Sequence, residues 1–229
     1  MTAKAHSVPM ASECALDSCV GAGPGRRTGV HFAGTRAGRR PEPPADLHGR
    51  PLPLRPLSTG TTIHRIHLTT RGAKFFGRSA IWRFDSPDRT FGTLYAALSE
   101  QACFVETILR GSDRFIAQSE LDIRSLCRFR LVRDVRVVPL HGVHLARLSA
   151  SAKVSAGPYA LSRRWARAIH SHPETPDGIL YRSNFDNDEF AVVLFERATD
   201  ALDDGTSTPL MSDPSLLGRI LDRYKASIR

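Results

Sequence analysis

Apolar and polar residues alternate along Thr62–Leu68, a segment rich in β-branched side chains. A period of two residues is typical of a half-buried strand. Phe91–Ala97 is predicted to be a second strand that leads into a helix, with Ser99 as the N-cap. Helical spacing of apolar residues continues to about Arg110, and Gly111 suits the position just beyond a helix end. This part of the chain is therefore predicted to form two strands and a helix.

The second half of the chain contains segments with the two-residue period of strands and segments with the spacing of helices. Strands and helices in mixed order favour an α/β (α+β) domain, with a mixed sheet and flanking helices. The predicted elements are strands within 119–140 including Leu121–Ile123, a helix from Pro158, strands over Ile179–Ser183 and Phe190–Phe195 (the latter apolar on both faces and therefore central), and a terminal amphipathic helix after Asp213.

Residues 1–57 differ from everything after them. Prolines, glycines and arginines dominate this stretch, and periodic apolar residues are almost absent. Such a segment cannot bury enough apolar surface to offset the entropy lost on ordering. We therefore predict a disordered basic extension over 1–57 and a single domain over 58–229 that ends in a helix.

Composition narrows the class of protein. The 229 residues include 41% hydrophobic ones, enough for a core, and carry a formal net charge of +9. A basic protein suits an anionic partner, either a nucleic acid or a small phosphorylated molecule. The strand arginines lack the interleaved aromatic residues of an RNA-stacking platform, so direct nucleic-acid binding is not expected.

Cysteine usage and hydropathy exclude other classes. The four cysteines form no CxxC pair and have no metal-ligand spacing, so we expect no metal site. No apolar run approaches the roughly 18 residues of a membrane span. The N-terminus has no apolar core of a secretory signal. The simplest expectation is a cytoplasmic protein with reduced thiols and no membrane partner.

Two arginines stand in positions where free solvation is unfavourable. Arg65 lies within a predicted strand, so its side chain faces either water or an anion. Arg83 lies between two large aromatic residues, a setting that suits phosphate or carboxylate binding. The alternative for Arg83 is a structural ion pair with Asp85.

Three further residues are candidates for ligand contact. Glu106 falls on the border of the apolar sector of its helix, where either a solvated or a cavity-lining carboxylate would lie, and periodicity alone favours the solvated one. Ser183 and Asn184 follow a buried strand, where loops commonly carry binding residues.

A series of short motifs occurs in an order that resembles the RES-domain family, a likeness that spans about residues 60–200. His64 departs from the family pattern, in which tyrosine is common at this position. The motifs are His64-Arg65, Phe76-Gly77, Arg83-Phe84, Leu94-Tyr95, Glu106-Thr107, Gly157-Pro158-Tyr159 with Arg164-Trp165, and Asp177–Ser183.

The resemblance implies an activity and a set of site residues. RES proteins are toxins of toxin–antitoxin pairs with a fold similar to that of ADP-ribosyltransferases, and they cleave the nicotinamide–ribose bond of NAD. Arg83, Glu106 and Ser183 would be the family's catalytic trio, and Arg65 and Tyr95 would complete the pocket with Asn184 as a further substrate contact. NAD would be a substrate rather than a cofactor, with phosphate or water as acceptor.

The resemblance also implies partners and leaves alternatives open. An Xre-like antitoxin is expected to cover the active site, and the C-terminal helix could serve a homodimer. A related enzyme that transfers ADP-ribose to a macromolecule would share the same pocket. A non-catalytic, basic nucleic-acid-binding module is the alternative from another class.

Overall fold

The computed structural model describes residues 42–111 and 113–229, and their strands form one large sheet and one small one. The strands are β1 Arg55–Leu57, β2 Thr62–Leu68, β3 Thr93–Ala97, β4 Phe115–Ile116, β5 Arg124–Arg130, β6 Val135–Pro139, β7 Gly178–Arg182, β8 Phe190–Phe195, β9 Thr206–Pro209 and β10 Ser227–Ile228. The helices are α1 Glu100–Thr107, α2 Gln118–Asp122, α3 Val143–Arg147, α4 Lys153–Ala156, α5 Tyr159–His170 and α6 Pro214–Tyr224.

The large sheet has eight strands in the order β1-β6-β7-β8-β3-β2-β5-β9. Strands β6 and β7 run parallel within it, and the other neighbouring pairs are antiparallel. β4 and β10 pair in a separate two-stranded sheet. Helices flank the sheet, so the predicted mixed α/β class is confirmed.

Strand β8 lies at the centre of the large sheet, as its two-sided apolar pattern predicts. Val193 faces the cluster that contains Trp165 of α5, whereas Leu194 belongs to a second buried cluster. Successive side chains of a strand point to opposite faces. The sheet therefore carries a hydrophobic core on each face, and its central strand ties the two cores together.

Helix α1 begins as predicted but ends early. The Ser99 hydroxyl accepts a hydrogen bond from the Ala102 N–H at 3.0 Å and caps the helix. The helix stops at Thr107 rather than continuing to Arg110. Thr107 and Ile108 are both β-branched, which weakens the helix at this point. Arg110 therefore lies beyond the end of the helix.

Two other expectations are corrected by the structure. Leu121–Ile123, predicted as a strand, lies at the end of α2, where Leu121 is buried and its neighbours are exposed. The ordered unit begins before residue 58, because Leu47 and Leu52 are buried in the core. Pro56 is accommodated in β1 because this strand forms a sheet edge. The rest of the predicted extension, residues 1–41, lies outside the described residues.

The C-terminal helix is confirmed, and it packs on its own domain. The Asp213 carboxylate caps α6 by accepting a hydrogen bond from the Leu216 N–H at 2.9 Å. Leu216, Leu217 and Ile220 are buried in the cluster that also contains α1 side chains. Across the described ranges, no helix has both the length and the apolar character to cross a bilayer.

A half-buried histidine, His170, makes the stability of this fold sensitive to acid. The His170 ring stacks on Phe91 with centroids 4.0 Å apart, and burial followed by the nearby Arg197 cation lowers its pKa to about 4. The unfolded chain, with a pKa near 6.5, then binds more protons than the folded chain between these values. The contribution of His170 to the free energy of unfolding is therefore fully present above about pH 6.5 and is lost as the pH falls toward 4.

We predict that His170→Phe, which keeps a ring against Phe91, reduces the acid-induced loss of unfolding free energy. The reduction should be on the order of 1 kcal/mol between pH 7 and 4.5, because the substituted chain has no proton to take up at this site and solvent screens the half-buried ring. Urea titrations across this range measure the effect. Parallel stability curves for the two proteins would refute it.

Candidate active site

A cavity of about 290 Å³ opens where strands β2 and β3 meet α1 and the start of α5. We call it the first cavity. Five of the six site residues selected from sequence line it together: Arg65, Arg83, Tyr95, Glu106 and Asn184. Residues that are distant along the chain therefore converge on one site. Among the described residues, no cluster of three or more histidine, cysteine, aspartate or glutamate side chains is arranged to hold a metal.

Glu106 projects from the last turn of α1 and is held by the far side of the cavity. Its Oε1 accepts a hydrogen bond from the Asn184 N–H at 3.2 Å, and its Oε2 accepts one from the Tyr181 hydroxyl at 3.4 Å. Burial, followed by the Glu106 charge, raises the pKa of Tyr181 well above its ordinary value. The tyrosine therefore remains a donor, and Glu106 is a half-buried carboxylate at the cavity wall.

Arg83 is oriented by Gly157 and by Tyr159 at the start of α5 rather than by an acidic neighbour. Its Nη1 donates to the Gly157 carbonyl at 2.7 Å, and its guanidinium lies 4.5 Å from the centre of the Tyr159 ring. The alternative of an ion pair with Asp85 is wrong, because Asp85 binds other groups. Within the described ranges, Arg83 forms no salt bridge. Its charge is therefore available to a ligand.

Arg65 is a second unpaired cation at the same wall. Its Nη1 donates to the Phe75 carbonyl at 2.8 Å. Burial lowers its pKa to about 10, so the guanidinium stays protonated at neutral pH. No carboxylate of the described chain lies within salt-bridge distance of it. A partly desolvated cation of this kind is stabilised by a bound anion.

Arg110 is a third cation, and sequence reasoning missed it. It lies 4.8 Å from the centre of the Trp82 ring, and its Nη2 donates to the Tyr159 hydroxyl at 3.3 Å. Trp82, Tyr159 and Tyr181 also line the cavity without having been assigned a role. The available signal for Arg110 was its position four residues after Glu106, at the end of the helix predicted from the sequence.

The Asp85 carboxylate fixes the segment that carries Trp82 and Arg83. It is 1% exposed and accepts five hydrogen bonds of 2.7–3.0 Å, from the Ser79, Thr93 and Tyr95 hydroxyls and from the Ile81 and Trp82 N–H groups. Burial acts to raise its pKa, but these donors outweigh it and the pKa is lowered. The carboxylate therefore stays ionised and joins the loop after β2 to strand β3.

Tyr95 presents its ring to the cavity because its hydroxyl is engaged elsewhere. The hydroxyl donates to Asp85 Oδ1 at 3.0 Å and accepts from the Phe84 N–H at 2.8 Å. Burial, followed by the Asp85 charge, raises its pKa well above the ordinary value. Tyr95 can therefore pack against a ligand but is not available as a general base.

Ser183 occupies a different position from the other selected residues. It is 2% exposed and does not belong to the lining of the first cavity. Its hydroxyl accepts hydrogen bonds from the Phe185 N–H at 3.1 Å and the Asp186 N–H at 3.3 Å. The side chain thereby shapes the turn that aims the Asn184 N–H at Glu106. This geometry gives Ser183 an indirect relation to the cavity.

The cavity thus combines three unpaired guanidinium groups, several aromatic rings and one carboxylate among its described lining residues. Arg124 lines it as well, but that cation is paired with Glu120 at 3.0 Å. Guanidinium groups bind phosphate or carboxylate oxygens, and aromatic faces stack on flat heterocycles. A lone carboxylate beside such a ligand can stabilise positive charge that develops during a reaction.

Comparisons with known proteins agree with the motif order. The RES domain family model matches residues 62–213. The "Probable toxin y4kH" of Sinorhizobium fredii is 37% identical over 73 residues, which cover 32% of this chain and 57% of that protein. The matched stretch thus spans little more than half the length of this relative.

A solved structure shares the fold. A chain of the crystal structure of the M. tuberculosis MbcT-MbcA toxin-antitoxin complex superimposes with a TM-score of 0.55 and 17% identity. The match covers 71% of the present chain and 92% of that chain. At this level of identity the likeness supports the fold of the described domain.

We predict that Asp85→Asn destabilises the protein by about 2–4 kcal/mol, because an amide cannot accept from all the donors and leaves buried groups unpaired. Thermal and chemical unfolding measure the change. Asp88→Asn, three residues away on the exposed side of the same loop, is the control and should have a much smaller effect. Equal stability of the Asp85 variant and the natural protein would contradict the role assigned to this carboxylate.

Proposed function

This chain belongs to the RES domain family, whose model covers residues 62–213, and on that premise we propose that it is a bacterial toxin that cleaves the nicotinamide–ribose bond of NAD. The Sinorhizobium relative is named a probable toxin, and the superimposable chain comes from a toxin-antitoxin complex, which supports the toxin assignment. The observation that carries the chemistry is the placement of Glu106 in the same cavity as unpaired arginines.

The charges of NAD suit this cavity. Its pyrophosphate is anionic, and Arg65, Arg83 and Arg110 are cations without carboxylate partners in the described chain. Nicotinamide is a flat cationic ring, which Tyr95 and Trp82 can hold by stacking. The ring leaves with the electron pair of the glycosidic bond and becomes neutral, so no general acid is needed.

We assign to Glu106 the stabilisation of charge at the ribose carbon that bears nicotinamide. As nicotinamide departs, positive charge develops on the ribose, and a nearby carboxylate stabilises it. An acceptor oxygen then bonds to the same carbon. Phosphate would yield ADP-ribose phosphate, whereas water would yield ADP-ribose and release a proton. The enzyme is accordingly an NAD phosphorylase or an NAD glycohydrolase.

The mouth of the site is suited to a protein that covers it. Trp82 at 44%, Phe185 at 38% and Ile81 at 60% exposure place large apolar side chains at or beside the opening of the first cavity. Exposed apolar groups next to a functional cavity are typical of an interaction surface. We assign this surface to the antitoxin of the pair.

We predict that Glu106→Gln lowers the rate of NAD cleavage by about 10²–10³-fold, because the neutral amide no longer stabilises the developing charge. The substitution keeps the size of the side chain, so circular dichroism and unfolding should remain close to those of the natural protein. Chromatography of nicotinamide released from NAD measures the rate. Asp122→Asn, an exposed acidic residue outside the cavity, is the matched control and should retain full activity.

The same assay identifies the acceptor. Reactions with and without inorganic phosphate, followed by mass spectrometry, distinguish ADP-ribose phosphate from ADP-ribose. ADP-ribose attached to protein or nucleic acid would instead identify a transferase. Full NAD cleavage by Glu106→Gln would sink the proposed role of this carboxylate, and absence of cleavage by the natural protein would refute the function itself.

We predict that Ile81→Asp weakens binding of the antitoxin, which we expect a neighbouring gene to encode, by about tenfold or more, because a charge would be buried in the apolar interface. Calorimetric titration of the purified partners measures the affinity. NAD cleavage should persist, since Ile81 does not line the first cavity. Val143→Asp, at 62% exposure and outside the lining of the first cavity, is the control. Equal losses in the two variants would rule out this surface as the interface.

A further inference from the structure

A second cavity of about 420 Å³ adjoins the first. Arg65, Trp82 and Tyr95 line both cavities, so the two spaces are separated by shared side chains rather than by a layer of core. Arg71 and Phe75 line only the second one. The proposed reaction gives no role to this space.

The size of the first cavity shows why a dinucleotide would need more room. At about 290 Å³ it lies at the lower limit of sites that enclose a drug-sized ligand. NAD consists of two nucleotides joined through a pyrophosphate. If the nicotinamide riboside is placed beside Glu106, the other nucleotide extends outside the first cavity. The adjoining space that shares Arg65 is the second cavity.

The charges around the second cavity favour a phosphate-bearing group near Arg71. Arg78 is committed to Glu196 through two hydrogen bonds of 2.6 and 2.8 Å. Asp85 is committed to its five donors and is almost inaccessible. Arg71 has no carboxylate partner among the described residues, and Arg65 is likewise unpaired. These two guanidinium groups are therefore the ones available to phosphate oxygens.

The aromatic lining favours a nucleotide over a free phosphate ion. Phe75 is 55% exposed although it is a large apolar residue, and Trp82 adds a second ring to the same wall. A phosphate ion gains nothing from these faces, whereas a purine base stacks on them for about 1–3 kcal/mol. The volume also exceeds what a single phosphate requires.

We propose that the second cavity binds the adenylate half of the dinucleotide, with Arg71 and Arg65 on its phosphate and the Phe75 ring on the adenine base. This inference rests on the proposed function, because it assigns the remainder of the same substrate. Arg65 lies at the junction, where it is placed to contact the pyrophosphate that links the two halves.

Binding of adenosine 5′-phosphate and of ribose 5-phosphate, measured by isothermal titration calorimetry, tests the assignment. Arg71→Ala should weaken both probes by about tenfold, because both lose a charge-assisted hydrogen bond. Phe75→Ala should weaken only the adenosine probe by a similar factor, because ribose 5-phosphate has no base to stack. Arg147→Ala removes an equal charge from an exposed site outside both cavities, and it should bind both probes as the natural protein does.

The outcomes separate this inference from the proposed reaction. Glu106→Gln should keep its affinity for adenosine 5′-phosphate while losing NAD cleavage. If the natural protein cleaves NAD and the Arg71 and Phe75 variants keep its KM and probe affinities, the inference is overturned and the function stands. If both variants lose probe binding but no NAD is cleaved, the nucleotide site stands and the reaction is wrong. Equal loss of both probes in Phe75→Ala would overturn the adenine assignment.

Discussion

The site depends first on the buried Asp85 carboxylate. An ionised group inside a protein is unfavourable unless its lone pairs are satisfied, and this one accepts hydrogen bonds from both the 79–82 segment and strand β3. Those bonds leave Trp82 and the adjacent Arg83 little freedom to move away from the sheet. Arg163 of α5 adds hydrogen bonds to the Ile81 and Trp82 carbonyls. This wall of the cavity is thus formed by a loop whose backbone is hydrogen-bonded both to Asp85, which also binds β3, and to Arg163 of α5.

The location of unpaired cations is more informative than the net charge of the chain. Some arginines elsewhere in the described domain are neutralised by carboxylates, as Arg133 is by Asp177 and Asp200, and Arg223 by Asp186. The guanidinium groups of Arg65 and Arg83 instead bind carbonyl oxygens, which orient a cation without cancelling its charge. A site of this kind is prepared for an anion.

The wall of the first cavity that contains Asn184 is also assembled from residues that are far apart in the sequence. Ser183 shapes the turn after β7, and Asp186 in that turn accepts hydrogen bonds from Arg223 and from the Tyr224 hydroxyl. Helix α6 therefore steadies the segment that presents the Asn184 N–H to Glu106. A serine in this position influences the carboxylate through the backbone of the turn.

Sequence patterns predicted the elements that are determined by a few neighbouring residues. They failed for the elements that are determined by tertiary contacts. Strand β2, the Ser99 cap and the central strand β8 follow from period and side-chain chemistry over a few residues. Pro56 lies in an ordered strand because β6 pairs with it, and no local pattern reports that pairing.

Glu106 shows the same limit most clearly. A solvated glutamate and a cavity-lining one are both half-exposed, so helical periodicity assigns them the same position on the border of the apolar sector. What distinguishes them is the group across the gap, and here the Tyr181 hydroxyl and the Asn184 N–H come from a strand end more than 70 residues away. Only a pattern that spans both segments, such as the ordered family motifs, carries that information in the sequence.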